Sequence, residues 1–563
     1  MDCRDIIMSE EYADFIVEAY ENKINNKKNI ISECATFPGF DYAFTYKPLS
    51  EIVGNGLSAY TYGEIPNLYG LMDLVAVEST GALKLQNLPG LNLNGKGIAI
   101  GIIDDGIDAY HEAFRYSNGN TRIIRAWNQE DQSLDTPLYF KYGSELSREL
   151  INEELDKDYS EILDNMRRDS VHGTFVTGIA AGNNNTDKGF ASPANAADLI
   201  IVKLKQAKRY LKEYYMIDEG AKAYQENDII SAIAYILQVA NGNRTPVIIC
   251  IPLGSNQGAH SGYSIVGNFM SSYAIRTGVG IVCANGNEGN SRHHYSGKIS
   301  SVNGYEDVQI RVDGNKNGFT LELWAATPDI FEIEITSPTG ERIPRVNSSL
   351  RQEQIYRLLF ERTTVYVKYE LVERLSGSEL IQVRFDNPTE GVWNIRVYGQ
   401  LIVCGGYNMW LPITEFVGEE TYFLKPDPNT TLTTPSDTYA PISVGAYNSV
   451  NEGLYLNSGR GYAANNIVKP DFVAPGVNVL GPTLNNKYIR LSGTSVAAGM
   501  TTGVMAQVME WGVIQGNRID MNTTEIKSYL MRGARRKNTL TYPNEQWGYG
   551  ELDAYNSIDI LRS

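Results

Sequence analysis

The sequence predicts an α/β domain built on a parallel β-sheet, with an antiparallel β domain inserted into it. From about Leu71 onward, apolar runs of strand length alternate with helical patterns; the runs are IAIGII (98–103), LIIVKL (199–204), VIICIP (247–252) and GIVCA (280–284). Continuous apolar strands between helices are typical of a parallel sheet that is covered on both faces. From about 300 to 425, segments such as FTLELWAA and FEIEITSPTGE alternate with period two, which indicates an antiparallel sandwich or jelly roll.

Three further segments complete the predicted domain organisation. EEYADFIVEAYEN (10–22) has helical spacing and predicts a helix, and IVGNGLSAY (52–60) closes this N-terminal segment. Residues from about 128 to 168 are strongly acidic and helix-like, as in SELSRELINEELDKDYSEILDNM, and predict an insertion on the surface. The α/β pattern resumes at ISVGAY (442–447). We therefore expect four segments, with boundaries at 1–60, 61–299, 300–425 and 426–563.

The composition describes a globular, acidic protein. The 563 residues are 42% hydrophobic and 20% charged, and the formal net charge is -17. No basic run offsets the surplus of carboxylates, which argues against a nucleic-acid partner. The ordinary interpretation of the acidity is solubility.

The cysteines and the apolar segments give no indication of a disulfide-rich, zinc-binding or membrane-spanning protein. Five cysteines lie far apart without a CxxC pair: Cys3, Cys34, Cys250, Cys283 and Cys404. This spacing indicates neither a disulfide framework nor a zinc site, and we expect no metal and no cofactor. The N-terminus shows no signal peptide, and Glu510 interrupts the apolar stretch after Ser495, so no membrane span is expected. We expect a monomer that is made and kept in a reducing compartment.

Three residues in separate motifs are candidates for carrying chemistry. Asp104 ends the apolar run IAIGII, at the strand end where open α/β sheets place their sites. His172 begins HGTFVTGIAAG (172–182), and Ser495 lies in SGTSVAAG (492–499), at the mouth of an apolar helix. Each residue alone has an ordinary explanation: a solvated carboxylate, a core or surface histidine, and a helix N-cap.

Taken together, these motifs resemble the subtilisin family of serine proteases, the subtilases. Strand–Asp–x–Gly, HGTxVxGxxAG, GNEG (286–289) and GTSxA occur in the family's order over about 450 residues. KPDFVAPGVNV (469–479) and WGYGELDAYNSI (547–558) also resemble the family's segments around the nucleophile and at the C-terminus. The resemblance implies a subtilisin-like three-layer fold, with a small α+β prodomain at the N-terminus.

The resemblance also implies roles for individual residues in a serine endopeptidase. Ser495 is expected as the nucleophile, His172 as its base and Asp104 as the carboxylate that fixes the histidine tautomer. Asn287 is expected to donate its side-chain amide to the oxyanion, together with the backbone N–H of Ser495. Segments of the substrate-binding cleft are expected at Leu253, Gly254, Ser255, Ala284, Asn285 and Gly286. A protein or peptide substrate would pair with them backbone to backbone, as an added strand.

Several departures point to a divergent branch. Asp105, Val171 and Gly499 stand where the family usually has Ser or Thr, glycine and proline. The inserted β domain, the absence of a visible signal peptide and the short N-terminal region resemble the clostridial germination-type (Csp) subtilases. That resemblance implies activation of a spore cortex-lytic zymogen and a cytoplasmic or spore-associated location.

The biological role leaves alternatives open. One is a pseudoprotease that serves as a binding or signalling module, since the Csp branch includes members that have lost triad residues. Another is an intracellular peptide-maturation protease with no link to spores. The β domain carries no histidine and is expected to serve stability or partner docking.

Subtilases are made with a propeptide, and the resemblance implies one here. LSAY, ending at Tyr60, resembles the junction between propeptide and mature enzyme. We therefore expect self-cleavage near Tyr60, with the released propeptide staying bound as an inhibitor. An N-terminal subdomain that is never cut is the alternative.

Overall fold

A computed structural model describes residues 2–18, 34–39, 42–52, 56–71, 78–88, 90–314, 317–348 and 353–560 of the chain. The strands, numbered in chain order, are β1 (Tyr12–Glu18), β2 (Thr36–Gly39), β3 (Tyr42–Pro48), β4 (Leu68–Leu71), β5 (Ala99–Asp104), β6 (Ile123–Asn128), β7 (Ser144–Ser147), β8 (Asp198–Lys203), β9 (Tyr224–Gln225), β10 (Val247–Ile251), β11 (Leu253–Gly254), β12 (Val279–Ala284), β13 (His294–Lys298), β14 (Tyr305–Val312), β15 (Gly318–Ala325), β16 (Ile330–Thr336), β17 (Arg342–Val346), β18 (Glu353–Arg357), β19 (Thr364–Glu370), β20 (Glu379–Asp386), β21 (Gly391–Leu401), β22 (Gly406–Trp410), β23 (Tyr422–Phe423), β24 (Ile442–Tyr447), β25 (Phe472–Pro475), β26 (Val479–Thr483) and β27 (Lys487–Leu491).

The α-helices are distributed along the same chain. They are α1 (Cys3–Met8), α2 (Ala82–Asn87), α3 (Arg148–Leu155), α4 (Glu161–Arg167), α5 (Val171–Ala181), α6 (Arg209–Tyr214), α7 (Glu226–Asn243), α8 (Ile265–Ala274), α9 (Thr414–Val417), α10 (Thr494–Met509), α11 (Thr523–Gly533) and α12 (Ala554–Asp559). Among the described residues, none of these helices combines the length and the apolar character that a bilayer crossing requires.

An eight-stranded sheet forms the centre of the α/β part. Its strand order is β25-β24-β12-β10-β5-β8-β6-β7, and neighbouring strands are parallel except for the pair β6 and β7. Successive residues of β5 enter two different cores: Ile100 and Ile102 pack with α5 and α10, whereas Ala99 and Ile103 pack with α7 and α8. The sheet is therefore buried on both faces, which is the three-layer fold that the sequence predicts.

The inserted β domain is an antiparallel sandwich. Its two sheets have the strand orders β13-β22-β15-β20-β19-β18 and β17-β16-β21-β14-β23. Inward-facing residues of both sheets, among them Leu321, Val383, Ile333 and Ile395, form one apolar core. The alternating pattern of the sequence arises because every second side chain of a strand faces this core, while polar side chains occupy the opposite face.

The helix predicted for residues 10–22 is wrong over its described part. Tyr12–Glu18 forms β1, which pairs antiparallel with β3 in a three-stranded sheet of order β1-β3-β2. Phe15 and Val17 enter one core and Ile16 another, so this strand is buried on both faces. An apolar run of this kind carries no alternation that would distinguish a strand from a short helix. We call α1 and β1–β3 together the N-terminal unit.

The expectation of unpaired cysteines is wrong for one pair. Cys3, at the start of α1, forms a disulfide with Cys34, and their Cα atoms lie 5.1 Å apart. Their separation of 31 positions in the sequence concealed this proximity, which the packing of the N-terminal unit creates. Cys250 and Cys283 are buried free thiols in β10 and β12.

Candidate active site

Three elements bring the predicted catalytic residues together at one edge of the parallel sheet. Asp104 is the last residue of β5, and His172 and Ser495 are each the second residue of a helix, α5 and α10. Helix α10 is buried along its whole length, which fixes the position of its N-terminus. Gly173 lies so close to β5 that a Cβ there would be 2.2 Å from the carbonyl oxygen of Gly106, so glycine is required for this approach.

The three side chains form a continuous hydrogen-bonded chain. The imidazole Nδ1 of His172 lies 2.8 Å and 2.9 Å from the two carboxylate oxygens of Asp104. Its Nε2 lies 3.1 Å from the hydroxyl Oγ of Ser495. Because a carboxylate only accepts, Nδ1 carries a proton and Nε2 faces the serine as the acceptor of its hydroxyl hydrogen. This arrangement can remove a proton from Ser495.

Asp105 is a second carboxylate next to this chain. It is buried, its Oδ1 accepts the backbone N–H of Gly173 at 2.8 Å, and Lys222 Nζ lies 3.8 Å from its Oδ2. Burial and the neighbouring Asp104 charge raise the pKa of Asp105 to about 7, although His172, Gly173 and Lys222 act in the opposite direction. A group with such a pKa changes charge near neutral pH, directly beside the histidine.

Asn287 lies on the loop that follows β12, and its amide orientation is determined by Thr494. Its Oδ1 accepts the backbone N–H of Thr494 at 3.1 Å and the Thr494 hydroxyl at 3.2 Å. A backbone N–H can only donate, so the oxygen of the amide must face Thr494 and the nitrogen must face away from it. Asn287 is thereby oriented as a donor next to the residue that precedes Ser495. Thr494 was not among the residues predicted from the sequence, although it lies inside the GTS motif.

The predicted substrate-binding segments lie next to one another. Leu253 and Gly254 form β11, and Ser255 exchanges two backbone hydrogen bonds with Thr434. Ala284 ends β12, Asn285 donates its side-chain amide to the Gly459 carbonyl, and Gly286 donates its N–H to the Thr494 hydroxyl. The N–H of Thr433 bonds the Asn285 carbonyl, so residues 433–434 join the two segments.

The chain's own strand β4 occupies the place that we expected for a substrate. It lies between β11 and β9 in an antiparallel sheet, with Leu71 opposite Leu253 and Leu68 opposite Gln225. The strand β9 is a second wall of this groove that the sequence analysis did not identify. Strand β10 lies beside β5 with Cys250 opposite Ile102, so the start of β11, two residues after β10, lies level with Asp104. Since Leu71 pairs with Leu253 at the start of β11, Leu71 is the end of β4 that lies nearest to the predicted triad.

Tyr60 lies elsewhere. Its ring packs on Phe15 with centroids 4.3 Å apart, and its carbonyl accepts a hydrogen bond of 2.6 Å from Lys368 of the inserted β domain. Tyr60 is therefore located between the N-terminal unit and the β domain. The residues that pair with the predicted substrate-binding wall are Gly70 and Leu71.

Comparisons with known proteins agree with this architecture. The sequence profile of the Subtilase family matches residues 95–330 and 415–550. The C5a peptidase of Streptococcus pyogenes serotype M18 is 23% identical over 497 residues, which cover 82% of this chain and 40% of that protein. The PI-type proteinase of Lactococcus lactis subsp. cremoris is 21% identical over 535 residues, 83% of this chain and 26% of that protein. The chain thus spans two fifths or less of the length of these curated relatives.

Among solved structures, the CspB protease of Clostridium perfringens is similar with a TM-score of 0.75 and 29% sequence identity. This similarity covers 86% of the present chain and 98% of the Clostridium chain, so it includes the α/β part and the inserted β domain. Family profile, strand order and domain insertion lead to the same assignment. The chain belongs to the subtilase family, the subtilisin-like serine peptidases.

Proposed function

We propose that the chain is an endopeptidase that uses Asp104, His172 and Ser495 as its catalytic triad. The observation that carries this proposal is the position of His172, with one nitrogen at Asp104 and the other at Ser495. His172 takes the hydroxyl proton as Ser495 attacks the substrate carbonyl, and then gives it to the leaving amine. Asp104 keeps the imidazole in the required tautomer and stabilises its charged form.

Asn287 and the backbone N–H of Ser495 would donate to the oxyanion of the tetrahedral intermediate. The fixed orientation of the Asn287 amide supports this role, because a preorganised donor needs no rearrangement during the reaction. In subtilisin, the loss of the corresponding donor costs about 3–4 kcal/mol of transition-state stabilisation. An intact set of reacting groups speaks against the alternative of an inactive binding module.

The test is hydrolysis of a peptide library by the purified chain and by a Ser495→Ala variant. Wild type should cleave internal peptide bonds, whereas the variant should lose about a million-fold in kcat, the size of loss known for subtilisin. The variant should keep the wild-type melting temperature within a few degrees, since only one hydroxyl is removed. Equal turnover by both proteins would refute the assignment of Ser495.

The endopeptidase would also process its own chain, and the position of β4 moves the proposed cut. The residues before a scissile bond should pair with β11, and β4 does so whereas Tyr60 does not. We therefore place the cut shortly after Leu71 and no longer near Tyr60. Intact-mass measurement should find an N-terminal fragment that ends a few residues beyond Leu71 in wild type and a full-length chain in Ser495→Ala. A fragment ending near Tyr60, or equal cutting of both proteins, would contradict this placement.

The biological role that the similarity supports is activation of a cortex-lytic zymogen in spores. This role rests on the likeness to the Clostridium perfringens CspB protease, which extends over nearly all of that chain. Incubation of the purified chain with a cortex-lytic precursor should yield one defined cleavage that Ser495→Ala does not produce. Cleavage of unrelated peptides but not of the precursor would refute this role while leaving the peptidase activity standing.

A further inference from the structure

Next to Asn287, a buried ion pair joins the proposed oxyanion hole to the inserted β domain. Glu288 and His293 are 2% and 1% exposed, and Glu288 Oε2 lies 2.6 Å from His293 Nδ1. The other ring nitrogen, Nε2, lies 3.1 Å from the carbonyl oxygen of Thr421. Both ring nitrogens thus lie within hydrogen-bond distance of an oxygen, one on each side of the ring.

The second oxygen of Glu288 reaches a segment of the β domain that lies between β22 and β23. Glu288 Oε1 accepts the backbone N–H of Thr414 at 3.0 Å and its hydroxyl at 2.9 Å. His293 directly precedes β13, the first strand of the β domain, and Thr414 begins α9 near its end. One carboxylate therefore contacts both the entry into the β domain and the segment between its last two strands, β22 and β23. Burial raises the pKa of Glu288, but the His293 charge and the Thr414 hydrogen bonds outweigh it and lower the pKa.

The same contacts limit the movement of Asn287. The Thr414 hydroxyl also lies 2.9 Å from Ser291 Oγ, and Ser291 in turn donates to the backbone carbonyl of Asn287 at 3.4 Å. On the opposite side, the Asn287 amide is bonded to Thr494. The residue is thus positioned between α10 and the base of the β domain. An oxyanion donor must lie within a few tenths of an ångström of its working position, so both supports affect its function.

We propose that Glu288 and His293 are positioning residues that orient Asn287, so that the inserted β domain supports the oxyanion hole. This inference rests on the proposed peptidase function. It revises the expectation that the β domain contributes to stability or docking without affecting the chemistry. The pair acts on the transition state through Asn287 and touches no reacting atom itself.

The experiment is a double-mutant cycle on the full chain. His293→Gln and Glu288→Gln should each lower kcat by about 10- to 100-fold with little change in KM, because the oxyanion forms only in the transition state. In an Asn287→Ala background the same substitutions should lower kcat by less than about twofold, since their route of action is already absent. His294→Gln is the matched control: it removes a neighbouring buried ring that bonds Asn408 and has no bond to Glu288.

A purely structural role would give a different result. The loss of kcat would then be equal in the wild-type and Asn287→Ala backgrounds, or His294→Gln would cause the same loss, and either outcome overturns the proposal. Thr414→Val is a milder variant in case the buried pair is essential for folding: it removes one hydroxyl from Glu288 and should lower kcat about threefold only when Asn287 is present. Failure of the peptidase proposal is separately visible, because Ser495→Ala would then leave turnover unchanged.

Discussion

The side-chain oxygen of Asn287 accepts two hydrogen bonds from Thr494, the residue directly before Ser495. The loop after β12 and the N-terminus of α10 are therefore fixed to one another where the proposed oxyanion would form. The Thr494 hydroxyl also accepts the N–H of Gly286, at 3.2 Å. One buried threonine thus connects the proposed nucleophile, the proposed oxyanion donor and the predicted substrate-binding wall.

Thr494→Val should lower kcat by about tenfold with a small change in KM. The substitution keeps the shape of the side chain but removes the hydroxyl, which loosens Asn287 and leaves the Gly286 N–H without its partner. Steady-state kinetics on a peptide amide measure the effect. Thr494→Ser, which keeps the hydroxyl, should restore most of the wild-type kcat; a valine variant with the wild-type kcat would contradict this role of Thr494.

Asp104→Asn and Asp105→Asn should have very different effects on hydrolysis. The Asp104→Asn substitution would favour the wrong histidine tautomer, and kcat should fall about 10⁴-fold. The Asp105→Asn substitution would remove a negative charge that favours protonated His172 above pH 7. The acid limb of the kcat/KM profile of this second variant should therefore move to lower pH by less than about one unit. If Asp105 were the costlier loss, Asp105 would be the residue that orients His172.

Asp105 should also make the stability depend on pH. Its folded pKa of about 7 lies above the unfolded value of about 4, so between these values the folded state binds more protons and stability falls as pH rises. The linked free energy is about 4 kcal/mol at neutral pH. In a Ser495→Ala background, Asp105→Asn should therefore melt higher than its parent at pH 7.5 and at the same temperature near pH 4. An offset that is constant with pH would contradict the raised pKa.

The sequence predicted the parallel sheet because its strands are long, continuously apolar and separated by helices. The run IAIGII became β5, and the carboxylate at its end lies beside His172. Motif order pointed to Ser495, whose Oγ lies 3.1 Å from His172 Nε2, and to Asn287, whose amide oxygen is bonded to Thr494. The parallel sheet was predictable from the sequence because local patterns of apolar residues encode it.

Features that depend on long-range pairing were not predictable in this way. Ser144–Ser147, within a helix-like acidic stretch, forms the edge strand β7 because it pairs with β6. The proposed role of the Glu288–His293 pair depends on the hydrogen bond from Thr414 to Glu288, and Thr414 lies far along the chain. Likewise, LSAY resembles a cleavage junction, but only the pairing of β4 with β11 shows which segment lies in the groove.

The N-terminal unit is attached to the α/β part by a buried ion pair. Asp14 in β1 lies 2.5 Å from Lys208 Nζ, and the side chains of these two residues are 0% and 3% exposed. Gln225 and Asn227 donate to the other carboxylate oxygen, Asp14 Oδ2, at 3.0 Å and 3.2 Å. Burial lowers the pKa of Lys208, and Asp14 acts in the opposite direction. Departure of the N-terminal unit would leave the lysine without its main counter-charge.

We therefore expect the cleaved N-terminal fragment to stay bound and to keep the enzyme latent, since Ser495 has no exposed surface while β4 fills the groove. Asp14→Asn should weaken retention, because removal of one partner of a buried pair costs about 3–5 kcal/mol, or roughly 10²- to 10⁴-fold in Kd. Size-exclusion chromatography with intact-mass detection measures how much fragment elutes with the enzyme, and peptide turnover reports its release. Glu10→Gln is the matched control: Glu10 also crosses this interface, to the backbone N–H of Arg209, but on the exposed surface, so retention should stay unchanged. If the wild-type fragment separates as readily as that of Asp14→Asn, the buried pair does not retain it.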